Sequence, residues 1–199
     1  PISEVIFGGP DDETTPADLR GGIDLTQPDD DFIHGGGGDD EIRGGIGNDV
    51  IFGDAGADRL YGGRGNDELT GDWQDSYAGG IGNDLIVLAR SAAEPGGRAS
   101  VSGGNGTDTA RFAYTGRTGP LAFTLTAITT VAPDLKLASI EVLDIALSDG
   151  DDTVTSGAGA DVIRGGLGSD TIRGGGGGDT LYGFGVENRT GGALTGADA

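Results

Sequence analysis

The sequence predicts an all-β fold in which short parallel strands wind into a flattened roll. Three observations support this prediction. A nine-residue period runs through two parts of the 199-residue chain, a bulky and mostly apolar residue recurs at position eight of each unit, and Asp recurs at position six. Because self-similarity at a short fixed period is the signature of stacked repeat architectures, the period indicates the fold class.

The repeat units form two runs. The first starts at Gly35 and reads GGGGDDEIR, GGIGNDVIF, GDAGADRLY, GGRGNDELT, the eight-residue GDWQDSYA, and GGIGNDLIV. The second starts at Ser156 and reads SGAGADVIR, GGLGSDTIR, GGGGGDTLY. With one deletion in the short unit, position six holds Asp40, Asp49, Asp58, Asp67, Asp75, Asp84, Asp161, Asp170 and Asp179. Position eight holds Ile42, Ile51, Leu60, Leu69, Tyr77, Ile86, Ile163, Ile172 and Leu181. Weaker units add Asp31, Asp108 and Asp152 in the same phase.

The spacing explains how one unit folds. Six residues dominated by Gly can turn through positive-φ conformations without steric cost. The next three residues form a short strand whose central side chain points inward, because side chains alternate along a strand. A turn and a strand make half a coil, so two units make one coil of 18 residues, and stacked coils bury the position-eight side chains in a thin core.

Composition and charge limit the function. Gly 43 and a formal net charge of -21 are also typical of a disordered acidic chain, but the ordered repeat argues against that alternative. The negative charge disfavours nucleic acid and anionic membranes as partners, and no apolar stretch approaches the ~20 residues of a membrane span.

Stacked coils place the Asp residues in columns of like charge, which are costly unless a cation lies between them. Carboxylates and backbone carbonyls are oxygen ligands, which favour Ca²⁺ over Mg²⁺ here.

These units resemble the RTX (repeats-in-toxin, haemolysin-type) calcium-binding family, whose signature is GGxGxDxUx. The resemblance implies a right-handed parallel β-roll with Ca²⁺ stacked in the turns, roughly 5 to 8 ions in this chain. It also implies a secreted or cell-surface bacterial protein exported by type I secretion.

The family places each Ca²⁺ between turns one coil apart. The earlier turn supplies the carbonyls of positions two and four with its Asp, and the later turn supplies the carbonyls of positions one and three with its own Asp. For the first block the resemblance implies Gly36, Gly38 and Asp40 with Gly53, Ala55 and Asp58; Gly45, Gly47 and Asp49 with Gly62, Arg64 and Asp67; Asp54, Gly56 and Asp58 with Gly71, Trp73 and Asp75; and Gly63, Gly65 and Asp67 with Gly79, Ile81 and Asp84. For the second block it implies Gly157, Gly159 and Asp161 with Gly174, Gly176 and Asp179, and Ser148, Gly150 and Asp152 with Gly165, Leu167 and Asp170. A further set joins Gln27, Asp29 and Asp31 to Gly44, Ile46 and Asp49. Asp108 has no in-phase neighbour in the sequence, so we expect it to bind at a rim or not at all.

We divide the chain into five segments. Residues 1–25 form an N-terminal cap with strands at Val5–Phe7 and Ile23–Leu25, and residues 26–87 form the first calcium-binding block. Residues 88–147 form a linking β segment of calcium-free coils, with a degenerate repeat at 103–111. Residues 148–182 form the second block, and 183–199 form a C-terminal cap or flexible tail.

The sequence predicts a binding module rather than an enzyme. One His, no Cys and no G-x-S-x-G leave no zinc-protease helix, thiol nucleophile or serine elbow. We expect calcium-triggered folding in a structural, assembly or adhesion role, with self-association or other extracellular proteins as partners. The alternative is polysaccharide binding by a stripe of arginines, namely Arg43, Arg59, Arg64, Arg164 and Arg173. Ice binding is disfavoured because position three carries no threonine ladder.

Overall fold

A computed structural model describes residues 5–7, 30–89, 98–125, 128–131, 135–183 and 194–196. All regular secondary structure in these residues is β-strand. In chain order the strands are β1 (Val5–Phe7), β2 (Phe32–His34), β3 (Glu41–Ile46), β4 (Val50–Phe52), β5 (Arg59–Arg64), β6 (Glu68–Gly71), β7 (Ser76–Ile81), β8 (Leu85–Leu88), β9 (Ala99–Asn105), β10 (Thr109–Ala113), β11 (Ala122–Thr124), β12 (Ile128–Val131), β13 (Leu135–Ala138), β14 (Val142–Ala146), β15 (Thr153–Thr155), β16 (Val162–Arg164), β17 (Thr171–Gly175), β18 (Thr180–Tyr182) and β19 (Leu194–Gly196). The predicted strand Ile23–Leu25 lies outside the described residues, as do Gln27 and Asp29.

The strands form three sheets. The first sheet has the order β1-β2-β4-β6-β8-β10-β14-β16-β18, the second β3-β5-β7-β9-β13-β12, and the third β11-β15-β17-β19. Through the repeats, successive strands alternate between the first sheet and one of the other two. Neighbouring strands are parallel, as in β2–β4 and β3–β5, with the exception of β12 and β13. The predicted parallel β-roll is thus confirmed.

The core is one line of side chains along each sheet. In the first sheet Ile33 lies beside Ile51, Ile51 beside Leu69, and Leu69 beside Ile86, and all four are fully buried. The matching line in the second sheet runs through Ile42, Leu60, Tyr77 and Val101. The prediction that position eight forms the core is therefore confirmed, with Leu181 only partly buried at the C-terminal end.

The segment between the two blocks continues these sheets. Strands β9 and β13 extend the second sheet, while β10 and β14 extend the first sheet. Only three residues separate β12 from β13, too few for the crossover that parallel strands need, so this pair is antiparallel. The third sheet begins with β11, which pairs with β15 of the second block.

The short unit GDWQDSYA changes the core locally. Position three of a full-length unit points outward, as at Arg64 and Ile81, but Trp73 in the shortened turn is buried. Its ring packs edge-on against Tyr114 and Phe112, with centroids 5.0 Å and 6.2 Å away. The deletion of one residue has moved an aromatic side chain into the interior, where it fills the space beside β10.

The core predicts a matched pair of substitutions. Ile51 is 0% exposed and Ile81 is 51% exposed. At one fixed Ca²⁺ concentration, Ile51→Ala should lower the free energy of unfolding by about 2–5 kcal/mol because it leaves a cavity, whereas Ile81→Ala should stay within about 0.5 kcal/mol of the parent. Chemical denaturation followed by circular dichroism measures both, and equal losses would contradict the placement of the core.

Candidate metal centre

Two columns of acidic side chains run along the roll, one on each edge. We call the first edge the side where turns lead into the first sheet, and the second edge the side where turns leave it. On the first edge the backbone N–H of Asp31 donates to Asp49 Oδ1 (2.9 Å), that of Asp49 to Asp67 Oδ1 (2.9 Å), and that of Asp67 to Asp84 Oδ1 (2.9 Å). Each carboxylate thus takes a bond from the turn one coil earlier. This ladder fixes every aspartate of the column in register.

The first-edge column continues through the segment between the blocks. The N–H of Asp84 donates to Asp108 Oδ1 (2.9 Å), and the N–H of Asp108 donates to Glu141 Oε2 (2.9 Å). Beyond that point Asp161 and Asp179 carry the column on. Asp108 has no neighbour at the repeat spacing, but residues 24 positions before it and 33 positions after it are its partners on the two sides. Metal binding by Asp108 stays a prediction.

The second-edge column is shorter and interrupted. The N–H of Asp40 donates to Asp58 Oδ1 (2.8 Å), and that of Asp58 to Asp75 Oδ1 (2.8 Å). In the second block the N–H of Asp152 donates to Asp170 Oδ1 (3.0 Å). Every pair of aspartates that the sequence placed one coil apart is therefore stacked by a hydrogen bond. Ligation of a metal by these residues remains a prediction.

The second oxygen of these carboxylates is the feature that indicates a cation. Among the described residues, a buried Oδ2 atom without a hydrogen-bond partner occurs in Asp58, Asp67, Asp84, Asp108, Asp161, Asp170 and Asp179. A buried acceptor without a partner costs free energy, and a buried charge without a partner costs more. A cation beside these atoms would remove that cost.

Burial also shifts the protonation of the columns. Burial, followed by the neighbouring carboxylates, raises the pKa of Asp58 and of Asp67 to about 7, although a backbone hydrogen bond to each opposes the rise. The same causes raise the pKa of Asp108 and Asp170 to about 6. Without a metal, Asp58 and Asp67 therefore begin to take up protons as the pH falls to about 7, and a metal would have to compete with those protons.

The glycines at position one leave room for this arrangement. A Cβ atom at Gly62 would lie 2.7 Å from the carbonyl oxygen of Gly79 and closer still to Asp67 Oδ2. A Cβ atom at Gly79 would meet Gly103 O at 2.6 Å and Asp84 Oδ2 in the same way. We call the space between a turn and the turn one coil later a step. At these two steps a carboxylate oxygen and a carbonyl of the next coil thus face the same small space, which any side chain would fill.

The carbonyls implied by the resemblance lie where coils meet. Gly47 O lies directly against Gly65 of the next coil, and Gly150 O against Gly168. Some of these carbonyls already accept one inter-coil hydrogen bond, for example Arg64 O from Gly47 N–H (2.8 Å). Because a carbonyl oxygen has two lone pairs, one hydrogen bond still leaves capacity for a cation.

Asp75 in the short unit differs from the other column members. Its Oδ2 accepts a hydrogen bond from Asp72 N–H (2.6 Å) and lies 3.4 Å from the Tyr77 hydroxyl. Trp73, whose carbonyl the resemblance assigns to this step, is part of the core. The turn therefore satisfies its own carboxylate, and the step from Asp58 to Asp75 has less free ligand capacity than the others.

Asp152 is also satisfied within the protein. Its Oδ1 accepts from Leu121 N–H (2.7 Å) and from the Ser148 hydroxyl (2.7 Å), and its Oδ2 accepts from Ser148 N–H (3.0 Å). The N–H and hydroxyl of Ser148 thus donate to the carboxylate oxygens that would otherwise be open to a cation.

A ladder at position five was missed by the sequence reasoning. The side-chain oxygen of Asn48 accepts from Asn66 N–H (2.8 Å), Asn66 from Asn83 N–H (2.7 Å), and Asn83 from Thr107 N–H (2.8 Å). Position five therefore bonds to the following coil, whereas position six bonds to the preceding one. The recurring Asn-Asp pair in the repeats was the signal that could have predicted this ladder.

The donor set fits calcium. The described turns offer carboxylate and carbonyl oxygens, and among the described residues no three acidic or imidazole side chains converge at metal-binding distance. Side chains thus contribute about two carboxylates to each site between successive coils, and backbone oxygens must supply most of the ligands of a bound cation. Ca²⁺ accepts such mixed oxygen sets in flexible geometry.

The five arginines considered for polysaccharide binding do not lie in one stripe. Arg43, Arg59 and Arg64 lie on the second sheet, Arg164 on the first and Arg173 on the third. Arg164 Nη1 also forms an ion pair with Asp144 Oδ1 (2.9 Å). These positions do not favour a single basic surface.

Comparison with known families gives one match. The family model described as the RTX calcium-binding nonapeptide repeat matches the chain in 4 copies, at residues 27–51, 43–77, 52–86 and 148–181. No curated protein matches the chain. The matched residues contain both blocks of stacked aspartates and leave out the segment that carries Asp108 and Glu141.

The raised pKa values predict how the metal-free protein responds to pH. A carboxylate whose pKa is higher in the folded state binds more protons there than in the unfolded chain, so stability rises as the pH falls. Metal-free protein prepared over chelating resin should gain β-structure by circular dichroism as the pH falls through about 7. A β signal that is constant or grows with rising pH would contradict the burial of these carboxylates.

The glycine space predicts a second matched pair. Gly62→Ala should weaken calcium binding and lower the melting temperature, because the methyl group would collide with Asp67 Oδ2 and Gly79 O. Gly37→Ala is the control, since its Cβ would meet no atom within 4 Å. Calcium titration calorimetry and thermal melts compare the two. Equal behaviour of both variants would show that this space has no role.

Proposed function

The chain carries RTX calcium-binding nonapeptide repeats and is a calcium-binding module of that type. On this premise we propose that Ca²⁺ binding drives the folding of the chain outside the cell. The observation that supports the proposal is the set of buried carboxylate oxygens without hydrogen-bond partners along the two edges. At a pH where these carboxylates are ionised, a structure that leaves their oxygens in its interior needs positive charge beside them.

Charge explains why folding and binding are linked. The formal net charge is -21, and closing the roll brings carboxylates of successive coils together in buried positions. Without a cation this raises the free energy of the folded state, so the open chain is favoured. Each Ca²⁺ offsets two charges and holds two coils together, and its binding free energy becomes folding free energy. Extracellular calcium sites work at about 10⁻⁴–10⁻³ M, which is far above cytosolic Ca²⁺ levels.

We infer which steps bind the ions. Five steps combine stacked carboxylates with carbonyls of both turns. They are Asp49–Asp67, Asp67–Asp84 and Asp84–Asp108 on the first edge, Asp40–Asp58 on the second edge, and Asp161–Asp179 in the second block. The step Asp152–Asp170 retains an unpartnered Asp170 oxygen. The step Asp58–Asp75 is the weakest, because the short turn satisfies Asp75.

The proposed role is structural, in assembly or adhesion of a secreted or cell-surface protein. The RTX repeat is a calcium-binding unit rather than a catalytic one, and a stacked roll can pair with further strands at its ends. No helix in the described residues is long and apolar enough to cross a membrane. Polysaccharide binding is less favoured, since the arginines proposed for it lie on three different sheets. Light scattering with and without Ca²⁺ tests assembly, and a strictly monomeric chain at high concentration would argue against it.

Calcium removal is the test of folding. The chain with excess EGTA should lack the β signal in far-UV circular dichroism at neutral pH, and Ca²⁺ should restore it with one cooperative transition. Mg²⁺ at the same concentration is the control and should restore little, because it prefers octahedral geometry and retains its water. A β spectrum that is indifferent to EGTA would contradict the proposal.

A further inference from the structure

The two matched blocks are separated by about sixty residues, yet one column of acids connects them. The family match ends at residue 86 and resumes at 148. Within that gap, the first edge has two acidic residues in the column, Asp108 and Glu141. The question is whether this part of the column only continues the hydrogen bonds or also binds metal.

The turn that contains Asp108 has the backbone of a calcium-binding repeat. Gly104 and Gly106, at positions two and four, have φ angles of 117° and 143°, and the equivalent Gly80 and Gly82 have 119° and 139°. Positive φ of this kind is the conformation that Gly adopts without steric cost. The carbonyls of this turn are therefore presented in the same way as those of the preceding repeat.

The next coil reaches this turn with three residues in place of six. Ala138 pairs with Ser102 and Val142 pairs with Thr109, so Ser139 to Glu141 take the place of the six residues from Gly103 to Asp108. The N–H groups of Glu141 and Val142 both donate to Asp108 O (3.1 and 3.0 Å), which fixes the connection on top of Asp108. Glu141 then takes the place of the position-six Asp, since its Oε2 accepts from Asp108 N–H (2.9 Å).

The small space found at the repeat steps recurs at this junction. A Cβ atom at Gly103 would collide with both Asp108 Oδ2 and Ser139 O, just as one at Gly62 would meet Asp67 Oδ2 and Gly79 O. Asp108 is fully buried, and its Oδ2 has no hydrogen-bond partner among the described residues. The junction therefore contains the same combination of a buried carboxylate oxygen and a next-coil carbonyl as the steps inside the repeats.

We propose that a Ca²⁺ ion binds at this junction, between Asp108 and Glu141, outside the matched repeats. Asp108 Oδ2, the Glu141 carboxylate and Ser139 O are its ligands, with the carbonyls of Gly104 and Gly106, and water completes the six to eight oxygens that Ca²⁺ takes. The missing three residues shorten the upper turn, and the extra methylene of Glu lets its carboxylate reach the ion. One hydrogen bond on Oε2 leaves the carboxylate free to coordinate, since it has about four acceptor sites.

The site has a consequence for folding. On the far side of the junction, Leu143 N–H donates to Asp161 Oδ1 (2.7 Å), and a Cβ atom at Gly159 would collide with Glu141 O. An ion held by Asp108 and Glu141 is thus linked to the first block, because Asp108 accepts the Asp84 N–H bond, and it lies next to the turn of the second block. It couples the two blocks, so that they fold on calcium in one transition. This inference rests on the proposed function and extends it to the regulation of folding.

The test compares Glu141→Gln with Glu68→Gln in the full chain. Gln at 141 keeps an oxygen that accepts the Asp108 N–H bond but loses the charge, and Glu68 is an exposed residue of β6 whose change alters the net charge equally. We expect Glu141→Gln to bind one Ca²⁺ fewer by calorimetry and to fold in two separate phases in a calcium titration followed by circular dichroism. Glu68→Gln should match the parent in both measurements.

An unchanged ion count and a single transition in Glu141→Gln would overturn the proposal, because that result means Glu141 acts only as a hydrogen-bond cap. If Glu141→Gln does not fold, anomalous scattering from crystals of the parent chain soaked in Tb³⁺ decides. A peak between Asp108 and Glu141 supports the site, and peaks only at the repeat steps overturn it. A parent chain that binds no Ca²⁺ at all would refute the proposed function itself, which distinguishes the two failures.

Discussion

The stacking of buried carboxylates one coil apart is the interaction on which the rest of the structure depends. Along the repeats, the position-six aspartates Asp67 and Asp84 each accept the backbone N–H of the Asp one coil earlier, and this fixes the register of the turns. The same stacking places like charges in an interior that raises the pKa of Asp58 and Asp67 to about 7. The arrangement that aligns the coils is therefore unfavourable until positive charge enters it.

Other features of the chain follow from this constraint. The thin core holds one inward side chain per short strand, and it cannot by itself offset many buried charges. Glycine at position one is needed because a Cβ would fill the space between Asp67 Oδ2 and Gly79 O. The asparagine ladder at position five adds inter-coil bonds that do not depend on metal. Calcium and hydrogen bonds thus stabilise the same interface between coils, and only the calcium part responds to the environment.

The positions of residues that keep the nine-residue period could be predicted from the sequence. Ile51 at position eight is in the core and Asp49 stacks on Asp67, because a fixed period puts equivalent residues one coil apart. Features that break the phase were not predictable in this way. Glu141 lies 33 residues after Asp108, so no spacing rule connects them. The inward turn of Trp73 follows from a single deletion, whose effect depends on the space available beside Tyr114.

The central claim is that cations between the coils supply the stability of the folded chain. The most direct measurement is the free energy of unfolding as a function of free Ca²⁺ concentration, since its slope against the logarithm of that concentration counts the ions released on unfolding. The account predicts a steep slope equivalent to several ions. A slope of zero, with a stable roll at every Ca²⁺ concentration, would contradict it.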